Sequence, residues 1–84
     1  MQRKNYSVSW EGQSVVKHAW NSAIRETERL AGVFANQEQT TYNLVNSSSV
    51  RDDLGFYFVS GFREWHSVNG KVVRFNIQME PQPA

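Results

Sequence analysis

Residues 55–79 read Gly55-Phe56-Tyr57-Phe58-Val59-Ser60-Gly61-Phe62-Arg63-Glu64-Trp65-His66-Ser67-Val68-Asn69-Gly70-Lys71-Val72-Val73-Arg74-Phe75-Asn76-Ile77-Gln78-Met79. Aromatic and β-branched residues crowd both halves, as strands prefer. Asn69-Gly70 reads as the two-residue turn of a β-hairpin whose strands cover about 54–67 and 71–80. A type I′ turn needs positive φ at both central residues, and Asn-Gly meets that need at little steric cost. Such a turn sets Val68 opposite Lys71. His66 then faces Val73, Glu64 faces Phe75, Phe62 faces Ile77 and Ser60 faces Met79. This side, with Phe58, is apolar away from the turn and is expected to meet the core. The other side sets Trp65 opposite Arg74, Arg63 opposite Asn76, Ser67 opposite Val72 and Val59 opposite Glu80, and is expected to be wet. A bulge near Ser60-Gly61 would reverse the faces beyond it.

Upstream, Tyr6, Val8 and Trp10 alternate with Ser7 and Ser9, which predicts a first strand over about 4–10. Glu11-Gly12 breaks it. From Gln13 the period changes. Val16, Ala19, Trp20, Ala23, Ile24, Thr27, Leu30, Ala31 and Phe34 recur at three and four, which predicts an amphipathic helix. Ser14 is the expected N-cap. Arg25–Glu28 and Glu26–Arg29 are expected i,i+3 pairs. Gly32 is one candidate end of the helix and Asn36 the other. Residues 40–46 predict a second strand, Ser47-Ser48-Ser49 a polar break, and residues 50–53 a connection. The expected fold is therefore α+β, in the order β-α-β-β-β, with one helix on one face of a mostly antiparallel four-stranded sheet. The strand order stays open.

Eighty-four residues with 39% hydrophobic content and 13% aromatic suffice for one small domain, with fraying expected at about 1–3 and 81–84. The chain has no cysteine, which excludes disulfides and thiolate metal sites and suits the cytoplasm. The start shows positive charge but no apolar run of a signal peptide. No segment approaches the roughly 18 apolar residues of a membrane span. Nine basic and eight acidic side chains give a net charge of +1, without the basic excess of a strong polyanion binder.

The expected wet side supplies the candidate binding surface: Arg63, Trp65, Lys71, Arg74 and Asn76. An indole among guanidinium groups can anchor a protein interface. It can also stack a nucleobase and hold phosphate. The structural alternative is a cross-strand cation–π contact between Arg74 and Trp65. Glu64 and His66 share a side and are expected to hydrogen-bond. The pair reads as a rim contact rather than a general base, since no nucleophile adjoins it. His18 is expected to be solvated on the helix. Asp52-Asp53 read as a turn, because hard-cation loops need more oxygen ligands in order. No cofactor or metal site is expected. Over residues 54–80 the element order resembles that of the small ribosome-dependent mRNA endonuclease toxins. The likeness is one of order alone, with no catalytic position to carry over.

The expected function is a non-enzymatic protein-interaction module, an inhibitor or adaptor acting on a larger complex. Its size and cysteine-free makeup suit phage or mobile-element accessory proteins. A weak single-stranded nucleic-acid binder using the Trp/Arg side is the alternative. A homodimer through a sheet edge is compatible with both.

Overall fold

The computed structural model describes residues 4–81. The fraying expected at residues 1–3 and 82–84 lies outside them. The elements run β1 (Tyr6–Trp10), β2 (Gln13–Lys17), α1 (Trp20–Glu38), β3 (Tyr42–Arg51), β4 (Phe58–Ser67) and β5 (Val72–Met79). One helix packs on one face of an antiparallel sheet, as expected. The sheet has five strands rather than four, in the order β2-β1-β5-β4-β3.

The extra strand comes from residues 13–17. Val16 lies at helical spacing from Ala19 and Trp20, so the apolar period runs backwards past the true start of α1. Two other forces win. Val15-Val16 is a β-branched pair, and Glu11 and Gly12 both take positive φ (45° and 80°), which makes a two-residue hairpin turn. Tyr6 then pairs with Lys17 and Trp10 with Gln13. Ser14 is thus a strand residue, not a cap. The helix begins after Ala19, whose extended backbone (φ −163°, ψ 154°) has no side-chain cap. It passes through both Gly32 and Asn36. Gln39 ends it in the left-handed region at φ 53°, and Thr40 N–H reaches Ala35 O at 3.0 Å in a Schellman closure. Of the two expected helix ion pairs, Glu26–Arg29 forms at 2.6 Å, and Arg25–Glu28 is not among the ion pairs of the described residues.

Ser47-Ser48-Ser49 does not break β3. These residues pair in sequence with Arg63, Phe62 and Gly61. An outer strand needs little burial, so a run of hydroxyls costs it little. A register shift between Val50 and Arg51 bulges the opposite strand at Val59, next to the position where Gly61 allowed one. The bulge returns Phe58 to the helix side, where it stacks on Trp20 with ring centroids 4.6 Å apart.

The core lies between α1 and the sheet. Val8, Ala23 and Phe75 are fully enclosed. Phe34 and Trp10 both approach the Phe75 ring, at 6.4 and 5.7 Å between centroids. Trp20 meets Tyr6 edge-on at 5.4 Å. A Cβ on Gly61 would run into the Ser48 carbonyl oxygen and come within 2.9 Å of the Trp20 ring. Gly61 is therefore what lets β3 and the Trp20 indole close over β4.

The hairpin β4–β5 forms where the sequence places it, with a different turn. Of the turn residues, Gly70 alone has positive φ (92°). Gly70 N–H bonds Ser67 O at 3.0 Å, and Ser67 N–H bonds Lys71 O at 2.9 Å. The loop therefore has three residues, Val68, Asn69 and Gly70: a tight turn followed by a left-handed glycine. The buried Ser67 fixes it. Its Oγ accepts from Asn69 N–H at 3.2 Å and from Lys71 N–H at 3.0 Å. One more loop residue slips the register by one, and a one-residue slip turns a strand over. Trp65 faces Val73, Arg63 faces Phe75 and Gly61 faces Ile77, on the helix side. Phe62, Glu64 and His66 face Asn76, Arg74 and Val72, on the side away from the helix.

Candidate functional site: the open face of the sheet

The slip divides the five residues expected to form one binding surface. Trp65 packs against the core cluster beneath the helix, and its Nε1 is buried without a hydrogen-bond partner. Arg63 lies on the same side. Its Nη1 donates to Ser48 O and Phe62 O, both at 2.8 Å, and its Nη2 donates to Ser49 Oγ at 3.2 Å. Burial pulls this guanidinium below its ordinary pKa. Lys71 leans toward the end of α1. Its Nζ bonds Glu38 at 2.8 Å and sits 5.2 Å from the Phe34 ring. The hydrogen bonds from Lys71 and Tyr42 hold the Glu38 carboxyl below the usual carboxylate range. Only Arg74 and Asn76 remain on the open face. An indole platform flanked by guanidinium groups is therefore not present there.

The open face offers something else. Phe62 sits under Arg74, whose guanidinium carbon is 3.8 Å from the ring centroid. The expected cation–π contact exists, with a phenyl ring in place of the indole. Arg74 Nη1 lies 4.0 Å from Glu64 Oε1. Glu64 Oε2 lies 2.7 Å from His66 Nε2. The expected Glu64–His66 pair thus forms, on the face away from the core. Phe62, Arg74, Glu64 and His66 make one connected row across β4 and β5. The strands fix its order, since Glu64 stands directly opposite Arg74.

Around this row the face carries serines and amides together with three half-exposed valines, Val16, Val50 and Val72, and little charge. Ser7, Ser48, Ser60, Asn76 and Gln78 line a shallow depression of about 340 Å³ beside Phe62. A second depression of about 430 Å³ lies between Arg74 and the β1–β2 turn, and shares Ser9 and Asn76 with the first. Hydroxyls and amides both donate and accept, so this surface can meet peptide groups without desolvating charge.

The row was only partly visible in the sequence. Glu64 and His66 are legible as i,i+2 neighbours in any register. Phe62 beside Arg74 is not, because that contact depends on the loop length. His18 precedes the helix and meets Asn5 at 2.8 Å between Nδ1 and Oδ1. Asp52 caps a turn as expected, accepting from Phe56 N–H at 2.9 Å. Among the described residues, no three His, Cys, Asp or Glu side chains gather in a way that could hold a metal ion. No helix of the described residues is long and apolar enough to cross a membrane. No protein-family model, curated protein or solved structure matches this chain.

Proposed function

We propose that this chain is a non-enzymatic protein-interaction module, an inhibitor or adaptor, that meets a larger protein through the open face of its sheet. One observation carries the reading: no layer of the described residues covers one face of the sheet, and the central aromatic ring of that face is already held in place by Arg74. A side chain ordered before contact loses less entropy on binding, and Arg and aromatic residues dominate interface energetics. The serines and amides around the row can pair with the polar groups of a protein surface.

Charge favours protein over nucleic acid. Arg74 and His66 are the cationic candidates on this face, and both lean on Glu64. A nucleic-acid site draws most of its affinity from several free cations set against phosphates. Trp65, the stacking platform of that alternative, lies beneath the helix. The small size and the cysteine-free makeup suit an accessory protein of phage or mobile-element type acting in the cytoplasm.

The test is affinity capture with the native chain, Arg74→Glu and Phe62→Ala, each checked for folding by circular dichroism. A protein retained by the native chain and released by both variants supports the reading. Capture unchanged by either variant removes the open face as the contact. Loss of Trp fluorescence on adding oligonucleotides at low salt, reversed by salt, would favour nucleic acid instead.

A further inference from the structure

The two edges of this sheet are protected very differently. β2 is five residues long and ends at Lys17, whose ammonium lies 3.5 Å from the Glu26 carboxylate. β3 is ten residues long, is flanked by β4 alone among the described residues, and carries neither a charge nor a proline from Tyr42 to Val50. Leu44, Val45 and Val50 are each about half exposed along it, at 47, 52 and 47%. Sheet edges are usually blunted by charge, proline, short length or a bulge. β3 has only a register shift at Val45, and residues 46–50 then run regularly against β4. The alternate backbone N–H and C=O groups of that run point away from β4, since a strand pairs with each neighbour through half of them.

We propose that β3 pairs antiparallel with β3 of a second copy of this chain. The run is self-complementary. A two-fold centred on Ser48 sets Ser47 opposite Ser49 and Asn46 opposite Val50. Ser47 and Ser49 both pair with helix-side residues of β4, whereas Asn46 and Val50 both pair with open-side residues, so each facing pair shares one face. Hydroxyl pairs across strands are favourable, and Arg51 faces Val45 of the second copy, so no like charges meet along the run. Closure selects the partner strand. The two-fold sets residues 45–51 of one copy against residues 45–51 of the other and closes on itself, whereas joining β3 to β2 propagates as an open chain.

The geometry has a functional consequence. Two antiparallel copies of one strand are related by an axis perpendicular to the sheet. Both helices then lie on one side and both open faces on the other. The result is a ten-stranded sheet with a continuous open face carrying two Phe62–Arg74–Glu64–His66 rows. The dimer stands independently of the proposed function. The doubled contact surface rests on it.

Sedimentation velocity over a concentration series tests the dimer without any partner. The expected species has twice the 9.7 kDa mass of the chain. Val45→Lys and Ser49→Lys each place like charges across the two-fold and weaken association by on the order of tenfold or more. Val16→Lys, on the β2 edge, leaves it unchanged. Amide exchange in residues 46–50 slows as concentration rises. A monomer at every concentration overturns the proposal. So does a dimer lost on Val16→Lys and kept in both folded β3 variants. A dimer that forms and yet captures no protein leaves the pairing intact and counts against the proposed function alone.

Discussion

Phe75 and Phe62 sit on neighbouring strands of one sheet and are held in opposite ways. Phe75 lies beneath the helix with no exposed surface, between the Trp10 and Phe34 rings. Phe62 lies on the other side, half-buried under a single guanidinium. The covered face is built by apolar contact from five strands and one helix. The open face is built by a row of pairwise contacts among Phe62, Arg74, Glu64 and His66, set among serine, asparagine, glutamine and a few half-exposed valines. The covered face therefore carries the stability of the fold, while the open face is free to be shaped by contact with something else.

The comparison is sharpest at its largest expected difference. Phe75→Ala is expected to cost about 3–5 kcal/mol, as truncation of enclosed aromatics does. Phe62→Ala is expected to cost about 1 kcal/mol, the scale of a partly exposed cation–π contact. Urea midpoints of the two variants check this, and similar losses would break the distinction between the faces. Trp65→Ala should follow Phe75, with a loss of about 3 kcal/mol. Trp65→Phe should be much milder, because it also removes the buried indole N–H that has no partner.

Gly61→Ala is expected to cost about 1–3 kcal/mol, since its methyl group meets both the Ser48 carbonyl and the Trp20 ring. A neutral result would mean that Trp20 does not close over β4. Next comes the charge enclosed on the covered side. Glu26 is buried, and Arg29 bonds both of its carboxylate oxygens, at 3.0 and 2.6 Å. Those bonds, reinforced by the Arg29 and Lys17 charges, hold its carboxyl below the usual range against the effect of burial. A carboxyl lowered on folding contributes stability above its unfolded pKa and loses it as pH falls through the folded value. Glu26→Gln should therefore flatten the acid limb of stability against pH. At neutral pH the loss should be about 1 kcal/mol, because Arg29 is largely in solvent. An unchanged acid limb would mean that the ion pair does not persist in solution.

The smallest expected effects are at the turns, and the first of them is a gain. Glu11 occupies a left-handed position at φ 45°, which asparagine accepts more readily. Glu11→Asn should stabilise by about 0.5–1 kcal/mol, read as a small rise in Tm. Asn69→Ala should cost less than that amount, because Asn69 is not among the positive-φ residues. A large loss at Asn69 would restore the two-residue turn expected from the sequence.

The two turns show what the sequence made legible. Each of these two turns holds a glycine between β-forming residues, but the sequence reads as a hairpin only at the second, because Val16 continues the helical spacing at the first. At Glu11-Gly12 the turn has two residues, though glutamate is a poor candidate for positive φ. At Asn69-Gly70 the dipeptide suggests the same turn, and Ser67 decides otherwise by accepting two backbone amides through its hydroxyl. That side-chain choice is a tertiary fact, since it needs Ser67 turned inward. The alternation of β5 is plain in Val73, Phe75 and Ile77, so its buried side was readable. β4 carries large aromatics on both parities, Phe62 on one and Trp65 on the other. Only the loop length could tell them apart. The helix stripe from Trp20 to Phe34 was readable from its period, and its start was obscured by Val16 at matching spacing. The site was legible in part because Glu64 and His66 need only each other, while Phe62 and Arg74 need the register.

The register of β4 against β5 is the claim beneath all of this, and cross-strand disulfides measure it directly in a chain with no native cysteine. Ser67 donates to Lys71 O, so by alternation Glu64 and Arg74 form a closely spaced pair that is not hydrogen-bonded. Glu64→Cys with Arg74→Cys should oxidise rapidly to an intramolecular disulfide and keep the native fold. Arg63→Cys with Asn76→Cys, facing pairs in the two-residue-turn register, should remain reduced because the two side chains stand on opposite faces. Rapid closure of the second pair, with the first left open, would contradict the account.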